Sequence, residues 1–132
     1  MKSLFNIVLT ITLVSPILFG CKKDVNPNLG KVKYAFTTNL SNPIDLEISY
    51  YNEFGEYQTE YVTNTTWSKT LDYSKMEYGA YLEVGDNYNN GEVLPNMTGT
   101  LQIYKDGVKQ NEVQVQTTTG EQFFWKSLSY IW

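Results

Sequence analysis

From Lys31 onward, apolar and polar residues alternate with a period of two, the spacing of strands that turn one face to a core. Val32, Tyr34 and Phe36 alternate with Lys33 and Ala35 and predict a first strand over 31–38. A Ser41-Asn42-Pro43 turn follows, and then Ile44, Leu46, Ile48 and Tyr50 alternate with Asp45, Glu47, Ser49 and Tyr51. Asn52-Glu53-Phe54-Gly55 puts glycine at the end of a turn, as type I turns favour, and a return strand is expected near 56–63. Trp67 and Leu71 share one side of a short strand, the segment from Leu71 to Tyr78 reads as loop, and Ala80, Leu82 and Val84 mark the next alternating set. A Gly-, Asn- and Asp-rich loop over 85–97 precedes Leu101 and Ile103, whose strand turns at Lys105-Asp106-Gly107 and returns through Val113 and Val115. Asp-Gly between two alternating runs is a strong hairpin signal. The segment from Phe123 to Trp132 is apolar on both phases, which predicts a strand covered on both sides or one that meets a partner. The whole predicts an all-β fold of seven to eight short antiparallel strands: a small β-sandwich, with a barrel as the alternative.

The first twenty residues break this pattern. Lys2 precedes a mostly apolar run from Leu4 to Phe19, interrupted near its end by Pro16, and Gly20 offers a small residue for cleavage. That is the layout of a secretory signal peptide. A spanning helix wants about 20 strongly apolar residues without such a break. The tetrad Leu18-Phe19-Gly20-Cys21, followed by Lys22-Lys23-Asp24, resembles a bacterial lipobox of the kind found in lipoproteins of the Bacteroidetes. The resemblance implies that the Cys21 thiol is alkylated by a diacylglyceryl group and becomes the membrane anchor. The division expected is therefore a signal peptide over 1–20, a lipidated cysteine with a short tether over 21–30, and a β-sandwich over 31–132. Lys22 directly after the cysteine, where inner-membrane retention commonly has Asp, points to the outer membrane, and the weakly acidic run Lys22-Lys23-Asp24 favours its periplasmic face over surface display.

A second resemblance rests on spacing within the domain. Ile48 to Gly55, then Val62 leading into Trp67-Ser68-Lys69-Thr70-Leu71, then Gly85-Asp86-Asn87 and the stretch from Gly99 to Gly107, are similar to the core of the MmpS-like domains. Thr66 stands where that family carries Pro, the loop after Gly85 is longer, and the C-terminus is more aromatic. The resemblance implies an immunoglobulin-like sandwich and an accessory role beside a membrane transport or envelope assembly, which makes an envelope protein the expected partner.

Composition narrows the chemistry. The chain holds 132 residues with a net charge of −4, no His and a single Cys, and the sequence contains no Arg. Nucleic acid is an unsuitable partner, because phosphate contacts need clustered Lys or Arg. Without His, and with Cys21 used as an anchor, Ser-His and Cys-His nucleophilic catalysis is excluded. Carboxylate pairs such as Glu47 with Glu60 are expected on a solvated outer face, so no catalytic residue, no enzymatic activity and no cofactor is assigned. Asp86 and Asn90, with Gly91 between oxygen-bearing neighbours, match part of a calcium loop, but Tyr88 and Met97 stand where ligands are needed. The alternative there is that Asn and Gly permit left-handed turns.

The aromatic inventory is the remaining candidate. All 11 Tyr and 3 Trp lie after Cys21. Tyr51, Tyr57, Tyr61, Tyr88, Trp125 and Trp132 exceed what so small a core needs. Exposed rings of this kind grip glycans or protein partners, or else fill cross-strand pairs on a half-covered sheet.

Overall fold

The computed structural model describes residues 30–40, 46–73, 76–86, 96–119 and 124–132. Eight strands are present: β1 (Lys31–Thr38), β2 (Leu46–Tyr51), β3 (Tyr57–Val62), β4 (Thr66–Asp72), β5 (Ala80–Asp86), β6 (Met97–Lys105), β7 (Val108–Thr117) and β8 (Trp125–Tyr130). They form two separate antiparallel sheets, ordered β4-β1-β6-β7 and β3-β2-β5-β8. The fold is a β-sandwich rather than a barrel. Apart from the β2–β3 and β6–β7 hairpins, every connection crosses between the layers. At its centre the order is immunoglobulin-like: β1 beside β4 reproduces the B–E pair, and β3-β2-β5-β8 reproduces C′-C-F-G. The β6–β7 hairpin occupies the edge where strand A would lie.

The alternation read from the sequence is the alternation that packs. Val32, Tyr34 and Phe36 of β1, Ile48 of β2, Leu82 and Val84 of β5, and Leu101 and Ile103 of β6 are completely buried. Full burial of an aliphatic or Phe side chain contributes about 1.5–3 kcal/mol, so this inner layer supplies the main cohesion. Tyr34 enters the core because its hydroxyl finds a partner, donating to the Tyr51 carbonyl oxygen at 3.0 Å.

Both predicted hairpins form. Asn52 closes the first: its side-chain Oδ1 accepts from the Phe54 and Glu56 amides at 2.9 and 3.0 Å, while the Gly55 amide donates to the Asn52 carbonyl at 3.0 Å. In the second, Asp106 and Gly107 both take positive φ, 52° and 81°, which is the two-residue type I′ turn. Asp106 also ties this turn to neighbouring segments, accepting from the Lys31 amide at 3.1 Å and from the Tyr73 hydroxyl at 3.0 Å.

Three expectations change. The C-terminal strand is covered on one side only: Phe124 and Leu128 are buried, whereas Trp125 and Ile131 are exposed. Its sheet has β8 at the edge, and among the described residues no element lies over its outer side. Leu71 and Asp72 belong to β4, paired with Val32 and Lys31, and beyond the strand the Met76 amide donates to the Tyr73 carbonyl at 2.9 Å. Glu47 and Glu60 do not share a face. The register sets Glu47 against Tyr61 and Glu60 against Ile48, so Glu60 turns to the core side.

Candidate functional site

In a strand, every second residue points to the same side of the sheet. On the outer side of β3-β2-β5-β8 the register aligns three cross-strand rows. The first reads Tyr61, Glu47, Gly85, Trp125; the second reads Thr59, Ser49, Glu83, Ser127. The third begins with the Tyr57–Tyr51 pair and continues to Tyr81 and Ser129. Four of the predicted ligand-binding residues, Tyr51, Tyr57, Tyr61 and Trp125, are therefore brought onto one face.

Two features fix the rings there. Tyr51, Tyr57 and Tyr81 form a mutual cluster with centroid separations of 6.4, 5.4 and 6.1 Å. The Glu83 carboxylate accepts from both flanking hydroxyls, Tyr57 at 2.9 Å and Tyr81 at 2.6 Å. Burial, and then this hydrogen bond, push the Tyr81 phenol up to about 12. Tyr57 is raised for the same reasons. Beside them the Ser49 and Thr59 hydroxyls share a hydrogen bond of 2.9 Å. At the other end of the face, Trp125 lies over Gly85. A Cβ on that glycine would fall among the atoms of the indole six-membered ring, so only glycine allows the ring to settle there.

Where β2 ends at Tyr51, the face runs into a cleft of about 320 Å³ between the 52–55 turn and the segment before β5. Tyr51, Phe54, Met76, Glu77 and Tyr78 line it. The outer side of the other sheet is different in kind, with Lys33, Thr37, Ser68, Thr100, Gln102 and Gln114 among its residues.

On the core side, Glu60 accepts from the Tyr50 hydroxyl at 2.6 Å, the Trp67 indole at 3.1 Å and the Lys69 ammonium at 2.7 Å. The hydrogen bond from Lys69, joined by that from Tyr50, holds this carboxyl below the usual carboxylate range. Glu60 links the two layers and is not a catalytic partner of Glu47.

The other candidates lie apart. Trp132 packs on Tyr73 and Tyr130 at 5.1 and 6.2 Å, and its indole N–H donates to the Met76 carbonyl at 3.2 Å. The Lys105 ammonium sits 4.9 and 5.2 Å from the Tyr73 and Trp132 rings. Asp86 is buried, with Oδ1 accepting from the Phe124 amide at 3.1 Å, and Oδ2 has no hydrogen-bond partner among the described residues. Among those residues no group of three potential metal ligands occurs. Cys21, Tyr88 and Asn90 lie outside the described residues. Tyr81 and Glu83 were not singled out in the sequence, although their phase opposite Ala80, Leu82 and Val84 marks them as outward. Comparison with protein-family models and with curated proteins found no match to this chain.

Proposed function

We propose that the chain is a non-enzymatic, lipid-anchored cell-envelope interaction domain whose working surface is the outer face of β3-β2-β5-β8. The observation that carries this reading is the gathering of Tyr51, Tyr57, Tyr61 and Trp125 on that face, while the opposite outer face is polar. The leader and the Cys21 lipobox support an anchored form. Each buried acyl methylene contributes about 0.8 kcal/mol, so two or more chains hold a protein firmly to a bilayer. Lys22 supports an outer-membrane location, the weakly acidic Lys22-Lys23-Asp24 run favours its periplasmic side over the surface, and the MmpS-like resemblance favours an accessory role beside a larger membrane assembly. The open sheet surface argues against catalysis, since among the described residues nothing encloses Glu83 or Glu47 to exclude water.

Site-specific photo-crosslinking in intact cells tests it. A photoreactive residue at Thr59, on the aromatic face, is expected to give a discrete adduct that is lost with Cys21→Ser. The same probe at Thr100, on the polar face, should give none. Equal labelling from both positions, or none from Thr59, would refute the assignment of this face.

A further inference from the structure

Two rings on the aromatic face reach across neighbouring strands of the sheet. Three atoms of the Trp125 six-membered ring crowd the position of a Gly85 Cβ together, so the indole rests face-down on the glycine. The residue is nevertheless 49% exposed, which leaves the other ring face to solvent. Tyr57 starts on β3, and its hydroxyl reaches Glu83 on β5, so its ring spans the intervening β2. This explains why Ser49 of β2, which points outward, is completely buried, while Tyr57 itself is 52% exposed. The positions beneath the two rings, Gly85 and Ser49, are one strand and two residues apart, or about 8 Å at ordinary sheet spacing.

We propose that this face is a track for an uncharged polysaccharide, with Trp125 and Tyr57 stacking on successive sugar rings and Glu47 and Glu83 accepting from their hydroxyls. The proposal rests on the reading that this face is the working surface, and it names the ligand class. A pyranose presents an apolar C–H face bordered by hydroxyls. It therefore needs a flat aromatic platform with acceptors beside it, and 8 Å is within the reach of two linked hexoses. Each Glu83 oxygen already accepts one tyrosine hydroxyl and keeps a second lone pair for the ligand. The tyrosine cluster is already held in place, so binding costs little ordering. A protein ligand fits less well, because interface anchors cluster in a desolvated apolar centre, and here the polar row of Thr59, Ser49, Glu83 and Ser127 parts Trp125 and Tyr61 from the tyrosine cluster. Charge selects further. Among the described residues the ionisable charges on the three rows are the carboxylates Glu47 and Glu83, which repel a polyanion.

The test uses purified full-length lipidated protein in detergent, titrated by calorimetry with soluble β-glucan, mannan, galactan and polygalacturonate. At least one neutral polymer should bind, with polygalacturonate inert. Trp125→Ala and Tyr57→Ala should each weaken binding about tenfold or more, and Trp125→Phe should fall between. Thermal unfolding of each variant establishes that it is folded. Failure of all three neutral polymers, equal binding of polygalacturonate, or wild-type affinity in folded Trp125→Ala would overturn the proposal. If Thr59 still gives its crosslink while no polymer binds, the ligand class is wrong and the working face stands. If both are blank, both readings fall.

Discussion

Glu60 shows how much of this molecule depends on a single side chain. It stands on the core side of β3 and accepts three hydrogen bonds, two of them from Trp67 and Lys69 on the opposite sheet. Its carboxyl is held low, chiefly by the Lys69 hydrogen bond, so its ionised form is favoured in the folded state. Stability from this source is full above the ordinary carboxylate range and is lost as pH falls through the lowered value. At the alkaline end the raised Tyr81 phenol, shifted by burial first, acts in the other direction. Its contribution is present below the ordinary phenol value and is lost as pH climbs through about 12. Denaturant midpoints measured across pH should therefore form a plateau that falls on both sides. Glu60→Gln should flatten the acid limb while leaving the alkaline one in place, and an unchanged acid limb would remove Glu60 from this role. Tyr34→Phe tests the core hydrogen bond separately and should cost about 1 kcal/mol in equilibrium unfolding.

Among the elements, those with strict alternation were legible in the sequence. The span of β1 and both hairpins follow from Val32-Tyr34-Phe36, from Asn52 with Gly55, and from Asp106-Gly107, because these are local patterns with local physical causes. The strand order was not legible. That β5 lies beside β2 is what brings Tyr81 and Glu83 within reach of Tyr57, and no local pattern encodes it. The same gap explains the reading of the last strand, where apolar residues on both phases suggested either two covered sides or a strand that meets a partner. Trp125 is on the outer phase because it covers Gly85 of the neighbouring strand, a pairing visible only once the register is known. Gly85→Ala tests that pairing. The added methyl cannot coexist with the indole in its present position, so the ring must lift. Overpacking of this kind costs about 1–3 kcal/mol, and tryptophan emission should shift to the red. Unaltered emission and an unaltered unfolding midpoint would mean that the ring does not rest on the glycine.

As a whole, the molecule is a sandwich latched at both lateral edges. Glu60 joins β3 to β4 on one side, and on the other the Asn111 side-chain amide donates to the Ser129 carbonyl at 2.9 Å, joining β7 to β8. With the edges tied, the two outer faces are the broad surfaces left to a partner, and they differ in chemistry. β1 begins at the end of the sandwich that carries the Asp106 turn and Tyr73. A lipid anchor at Cys21 would hold the domain from that end and leave the aromatic face along its side. The most direct measurement is oxidative footprinting of the protein in native membranes, compared with the same protein extracted and purified. Tyr57, Tyr61 and Trp125 should be protected in the membrane sample, while Tyr104 on the polar face should label equally in both. Equal labelling of all four, or protection confined to Tyr104, would contradict a binding role for the aromatic face.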